Sequence, residues 1–174
     1  MPHRLKLDPD FSDYQIFGLS THLKDYKLCW HINGKLKQNL IRYPSLTVKE
    51  NEQLQYSLFV HREAFELIDL YLLSNFSNHV PWFAKAKHFH YFFIIGGSPL
   101  NSLVSEIDNN LKLIPQMLLV TKLSADERKL AQPLLTDFEL HLTETSSKEK
   151  EQLKFKTPKR AGFKPSEDEE GSQT

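Results

Sequence analysis

The chain has 174 residues, enough for one domain with a real core and too few to expect two. Hydrophobic residues make up 40% and charged residues 25%, the balance of an ordinary globular protein rather than a disordered one. The formal net charge is zero, so the whole-chain balance points to neither nucleic acid nor an anionic membrane, and any electrostatic partner must be served by a local patch.

Cys29 is the only cysteine, which excludes an intramolecular disulfide. Met1 to Asp8 hold no apolar run of the signal-peptide kind. No stretch approaches the roughly 20 apolar residues of a membrane helix; the longest, Phe89 to Ile95, carries His90 and stops at Gly96-Gly97. A soluble, cytoplasmic protein is the expectation. Of the aromatic residues, only Phe138, Phe155 and Phe163 follow Phe93, and this asymmetry predicts a strand-rich first half.

After an N-terminal arm (1–10), one α+β domain is expected over residues 11–142. Its first strand is Tyr14 to Ser20. A second is read over Tyr26 to Ile32, where Tyr26, Leu28, Trp30 and Ile32 alternate with Lys27, Cys29 and His31. His22 to Asp25 would then be a polar hairpin turn, and Asn33-Gly34 would close the second strand. An edge strand around Leu40 to Tyr43 would be broken at Pro44. Leu54 to His61 alternates as a third strand. Glu66 to Ser74 is nearly continuous apolar sequence interrupted by Asp69, as in a strand covered on both faces, with helix the competing reading. Asn75 to Asn78 is turn chemistry, and Pro81 keeps Val80 to Phe83 out of a sheet centre. Phe89 to Ile95 is the fifth strand.

The period then changes. Ser98-Pro99 predicts a helix start, and Leu100, Leu103, Val104, Ile107 and Leu111 form one stripe of an amphipathic helix ended by Pro115. Met117 to Thr121 is a sixth strand, so strand, helix and strand make a crossover unit if the strands are parallel. Ser124 to Glu127 is a capping box for a short helix stopping near Pro133. Phe138, Leu140 and Leu142 alternate as a last edge strand. The fold class expected is therefore α+β, a mainly antiparallel sheet of about five to seven strands on one or two C-terminal helices. Residues 146–174 hold Leu153, Phe155 and Phe163 as their only large apolar residues. Lys148 to Lys164 is mostly basic and Glu167 to Glu170 wholly acidic, which predicts a disordered polyampholyte tail.

His22 to Trp30, reading HLKDYKLCW, resembles a stretch of the IPExxxVDY family of small Bacteroidetes proteins. Leu72-Leu73-Ser74-Asn75 and Leu111-Lys112-Leu113-Ile114-Pro115 fall where that family has similar segments, so the resemblance spans roughly residues 10–135. Val80-Pro81 stands for the naming motif's Ile-Pro, Trp82 occupies the position of its glutamate, and after six residues instead of the motif's three, Phe89-His90-Tyr91 stands for Val-Asp-Tyr with His90 in place of the aspartate. Both acidic residues are thus replaced, which favours a structural reading of the motif as a turn entering a central strand. The resemblance implies a fold and a lineage, and no activity.

Candidate sites are few. His88 and His90, two apart on a presumed strand, would share a face and could share a metal, with His22, His31, His61 or Asp69 completing a set. Cys29 is either a thiol nucleophile or a small buried hydrophobe. Asp69 in an apolar strand must be paired, protonated or solvent-facing, and Asp25 reads as a turn residue. Gly96-Gly97-Ser98 before a helix lacks both phosphate-loop patterns. The basic stretch with Lys154, Phe155, Lys156, Lys159, Arg160, Phe163 and Lys164 interleaves charge with rings, the chemistry of single-stranded nucleic-acid contact, or else it is a solubilising tail. With no catalytic constellation and no cofactor implied, the expectation is a non-catalytic module engaging a protein or RNA partner. The alternative is an enzyme with an unrecognised site.

Overall fold

Successive strand residues point to opposite faces of a sheet, so a strand that is apolar throughout must be covered twice. Leu70 to Leu73 on one strand and Phe92 to Ile95 on its neighbour are all buried, and covering both faces of this pair organises the molecule. The computed structural model describes residues 13–48, 51–62 and 68–156. Its elements are β1 (Gln15–Thr21), α1 (Asp25–Leu36), β2 (Ile41–Val48), β3 (Asn51–His61), β4 (Ile68–Ser74), β5 (Phe76–Ser77), β6 (Val80–Pro81), β7 (Tyr91–Gly97), α2 (Asn101–Lys112), β8 (Met117–Lys122) and α3 (Ala125–Lys156), with a 3-10 turn at Ala84–Ala86.

Six strands form one sheet in the order β2-β3-β4-β7-β1-β8, antiparallel at every step, while β5 and β6 make a separate ribbon. The expected α+β class with a mainly antiparallel sheet is the observed one. On one face, Tyr71, Leu73, Phe92 and Ile94 meet Ala131, Leu135, Phe138 and Leu142 of α3. On the other, Leu70, Leu72, Phe93 and Ile95 meet Leu28 and Ile32 of α1 and Val104, Ile107 and Leu111 of α2. The chain is thus three layers deep. β7 and β8 both run antiparallel to β1 and therefore parallel to each other, so α2 carries the chain across β1.

Several expectations are corrected. Tyr26 to Ile32 is α1, not a strand, and Asn33-Gly34 lies inside that helix, not in a hairpin turn. Its buried residues, Leu28, Cys29 and Ile32, follow a helical spacing, whereas Tyr26 and Trp30 face outward. β2 continues through Pro44, and the pairing with β3 shifts between Tyr43 and Leu46 to accommodate it. Ser98 does not cap α2: Gly97, at φ 85°, turns the chain out of β7, and helical bonding begins with Val104 N–H to Leu100 O (3.1 Å).

The capping box is present, with Ser124 N–H donating to Glu127 (2.8 Å) and Glu127 N–H to Ser124 Oγ (3.3 Å). The helix it starts nonetheless runs past Pro133 to Lys156. Packing of Leu135, Phe138 and Leu142 outweighs the lost hydrogen bond, and the expected edge strand there is helical. Residues 146–156, expected in the disordered tail, are helical as well. Extending a nucleated helix needs only favourable propagation, which Glu and Lys supply without any core. The rest of the tail, and the N-terminal arm, lie outside the described residues.

The segment joining β4 to β7 folds around a fully buried side chain, Asn75. Its Nδ2 donates to the carbonyls of Ala86 (3.1 Å) and Phe89 (2.8 Å), and its Oδ1 accepts from Phe83 N–H (2.9 Å). Its own N–H bonds His90 O (2.8 Å), and its carbonyl accepts from Trp82 N–H (2.7 Å). Asn78 and His79, at φ 48° and 66°, make the tight turn between β5 and β6. Phe89 then lies flat on Gly18 of β1, where an added Cβ would meet the ring at 2.4 Å.

Asn75→Ala should cost about 3 kcal/mol in urea unfolding, because it removes three buried hydrogen bonds at once, although Ala86 O keeps its bond from Phe89 N–H. Gly18→Ala should cost about 1–3 kcal/mol by forcing the Phe89 ring aside. In a Phe89→Leu background the Gly18→Ala penalty should shrink by at least about 1 kcal/mol, and strict additivity would contradict the contact.

Candidate functional site

α1 is fastened to the sheet at three points. Asp25 accepts from Arg42 Nη1 of β2 (2.8 Å). Asn33 grips the chain ahead of β2 as a strand neighbour would, with Nδ2 donating to Leu40 O (3.0 Å) and Oδ1 accepting from Leu40 N–H (2.8 Å). Tyr91 of β7 donates its hydroxyl to Leu23 O (2.8 Å), just before the helix. In the same turn Thr21 Oγ1 accepts from Leu23 N–H (3.2 Å) and donates to Gln116 O (2.9 Å), which ties the start of α1 to the residue preceding β8.

What these fastenings hold outward is an aromatic and basic face. Trp30 is 72% exposed and Tyr26, one turn earlier, 56%. The edge of the indole meets the half-buried His31 ring at 4.9 Å between centroids. Lys24, Lys27 and His22 are exposed around them and line, with the two rings, an open concavity of about 730 Å³. Among the described residues no carboxylate lines it, and Asp25, the nearest acid in sequence, is turned away to Arg42. Leaving an indole in water forgoes on the order of 2 kcal/mol that core burial would yield, so its placement needs a reason other than stability.

The residues singled out from sequence are scattered. β7 begins only at Tyr91, so His88 and His90 precede the strand and its alternation does not place them on one face. His88 is exposed beside the Phe89 ring. His90 is half-buried and its Nδ1 accepts from Thr21 N–H (3.2 Å), while burial and then the neighbouring His22 lower its pKa. His61 is buried with Nδ1 against Asn39 O (3.3 Å). Among the described residues no group of three or more His, Cys, Asp or Glu is placed to hold a metal.

Asp69 receives the Tyr71 hydroxyl (3.2 Å) and pairs with Arg62 (3.5 Å), so it is paired at a sheet surface rather than stranded in the core. Asp25 is the first residue of α1 instead of a turn residue. Lys154, Phe155 and Lys156 fall in the last turn of α3, and Lys159, Arg160, Phe163 and Lys164 lie outside the described residues. Val80-Pro81 is β6, Trp82 and Phe89 are buried against Phe92, and the segment enters central strand β7.

A second concavity, about 290 Å³, lies between α3 and the β2–β3 hairpin, with Tyr56, Trp82, Asp137, His141 and Glu144 on its walls. Neither concavity is lined by Cys29, His88, His90 or Asp69. No helix is long and apolar enough to cross a membrane among the described residues. No protein-family model matches the chain, and no curated protein matches it either.

Tyr26, Lys27, Trp30 and His31 were not among the sites expected from sequence. The available signal was the i, i+4 spacing of two pairs, Tyr26 with Trp30 and Lys27 with His31, which makes one helix face both aromatic and basic.

Cys29 sits on the inner side of the same helix, 4% exposed, with Sγ 3.5 Å from Leu40 O. Burial, with a smaller push from Asp25, raises its pKa from 9.0 to about 11, which keeps it a protonated thiol at neutral pH. The unfolded thiol ionises first, so stability should be full below pH 9 and fall as pH rises toward 11, by up to about 3 kcal/mol. Urea titrations at stepped pH should show this slope flatten in Cys29→Ala, and a thiol reagent should label the native chain no faster than global unfolding allows.

Proposed function

We propose that this chain is a non-catalytic binding module whose contact surface is the outer face of α1, engaging a protein or RNA partner. The observation that carries the reading is Trp30, 72% exposed on a helix fastened at both ends. Large rings on rigid supports dominate binding energy at interfaces because they bury area without losing much side-chain entropy. The protonated, buried Cys29 and the paired Asp69 support a binding role over a catalytic one. Membership of the IPExxxVDY family and residence in the cytoplasm belong to the same proposal.

Trp30→Ala should leave the thermal midpoint within ~1 °C of the native chain, since it removes few packing contacts. Purified gently from native lysate, the native chain should carry a partner, read by absorbance at 260 nm and by mass spectrometry, that Trp30→Ala loses. Identical partner sets and yields for both chains would overturn the reading.

A further inference from the structure

We infer that the α1 face binds single-stranded nucleic acid, with a base stacked on Trp30, the next on Tyr26, and the flanking phosphates at Lys24 and Lys27; this rests on the binding-module reading above. Three features select this partner. The two rings stand one helical turn apart, about 5–6 Å between Cβ atoms, which offers platforms to successive unstacked bases. Among the described residues, the charged side chains lining the concavity are Lys24 and Lys27, so the face repels cationic surfaces and accepts a polyanion. The Asp25–Arg42 pair holds the Asp25 carboxylate against β2, which leaves the face locally basic on a chain of zero net charge. A duplex presents its phosphates but keeps its bases stacked inside, so it would use the lysines and leave the indole idle.

Trp82 is buried, so Trp82→Phe leaves Trp30 as the sole indole and its fluorescence as a direct reporter. A mixed-sequence single-stranded RNA 12-mer should quench it, with a slope of log affinity against log salt near −1.5 for about two phosphate contacts. The matching duplex, a free mononucleotide and polyglutamate should each bind at least about 10-fold more weakly. Anisotropy of labelled 12-mer on the otherwise native chain reads the same binding should Trp82→Phe disturb folding. There, Trp30→Ala and Lys27→Glu should each weaken it on the order of 10-fold with the thermal midpoint retained.

Equal affinity for polyglutamate would mean plain charge attraction, and equal affinity for the mononucleotide would mean a small-molecule site; either overturns the inference. So does a dissociation constant above about 1 mM for the single strand at low salt. If, in that case, Trp30→Ala still strips a protein partner, the binding-module reading stands and only the nucleic-acid assignment falls. If Trp30→Ala strips nothing, both fall.

Discussion

The fold turns on one buried amide. A carboxamide inside an apolar core is tolerable only if its donors and acceptor are all used, and Asn75 uses them on three different residues of the segment between β4 and β7. That makes the segment a compact knot instead of a free loop. Because Asn75 N–H also bonds His90 O, the knot closes in register with the first β4–β7 pair, Ser74 with Tyr91. The register of β7 then decides which face each of its residues covers, since a slip of one would exchange Phe92 and Ile94 with Phe93 and Ile95. β1 is bound to the same frame by Gly18, whose missing side chain lets the Phe89 ring lie on the strand.

From that register the α1 face follows in short steps. Tyr91 leads β7 and reaches Leu23 O, Thr21 ends β1 and reaches Gln116 O, and together they fix the turn that starts α1. Asn33 and Asp25 fix the helix to β2 and the chain before it. A surface helix with two apolar rings pointing into water would gain by rotating them inward. Here the rotation is blocked, because it would break the Asn33–Leu40 pair and the Arg42 bond and expose Leu28, Cys29 and Ile32.

The elements read correctly from sequence are those in which burial and period agree. β4 and β7 are covered twice and read as nearly continuous apolar runs; α2 carries a one-sided stripe; the Ser124–Glu127 box announces α3 with its own hydrogen bonds. The errors have local causes. Pro133 and Pro44 read as breakers, but packing of α3 on the sheet outweighs the one missing donor at Pro133. Pro44 lies on the edge strand, where the pairing shifts between Tyr43 and Leu46. Phe138, Leu140 and Leu142 alternate over five positions, too short a window to separate a strand from a helix whose buried members are Phe138 and Leu142.

The misreading of α1 has a different origin, and it bears on the site itself. Tyr26, Leu28, Trp30 and Ile32 look like one buried strand face only if the largest rings are assumed to be core. In the structure the core takes Leu28, Cys29 and Ile32, and the rings are left in water. Where local pattern and fold disagree in this way, a functional or a strained position is the physical expectation, and the binding proposal rests on the first. Asn33 shows the same split: its turn-forming chemistry suggested a hairpin, yet its amide serves as a surrogate strand edge for Leu40. The residues that concealed the helix in the sequence, Tyr26 and Trp30, are therefore those the helix presents, and the one that suggested a turn is what holds the presentation rigid.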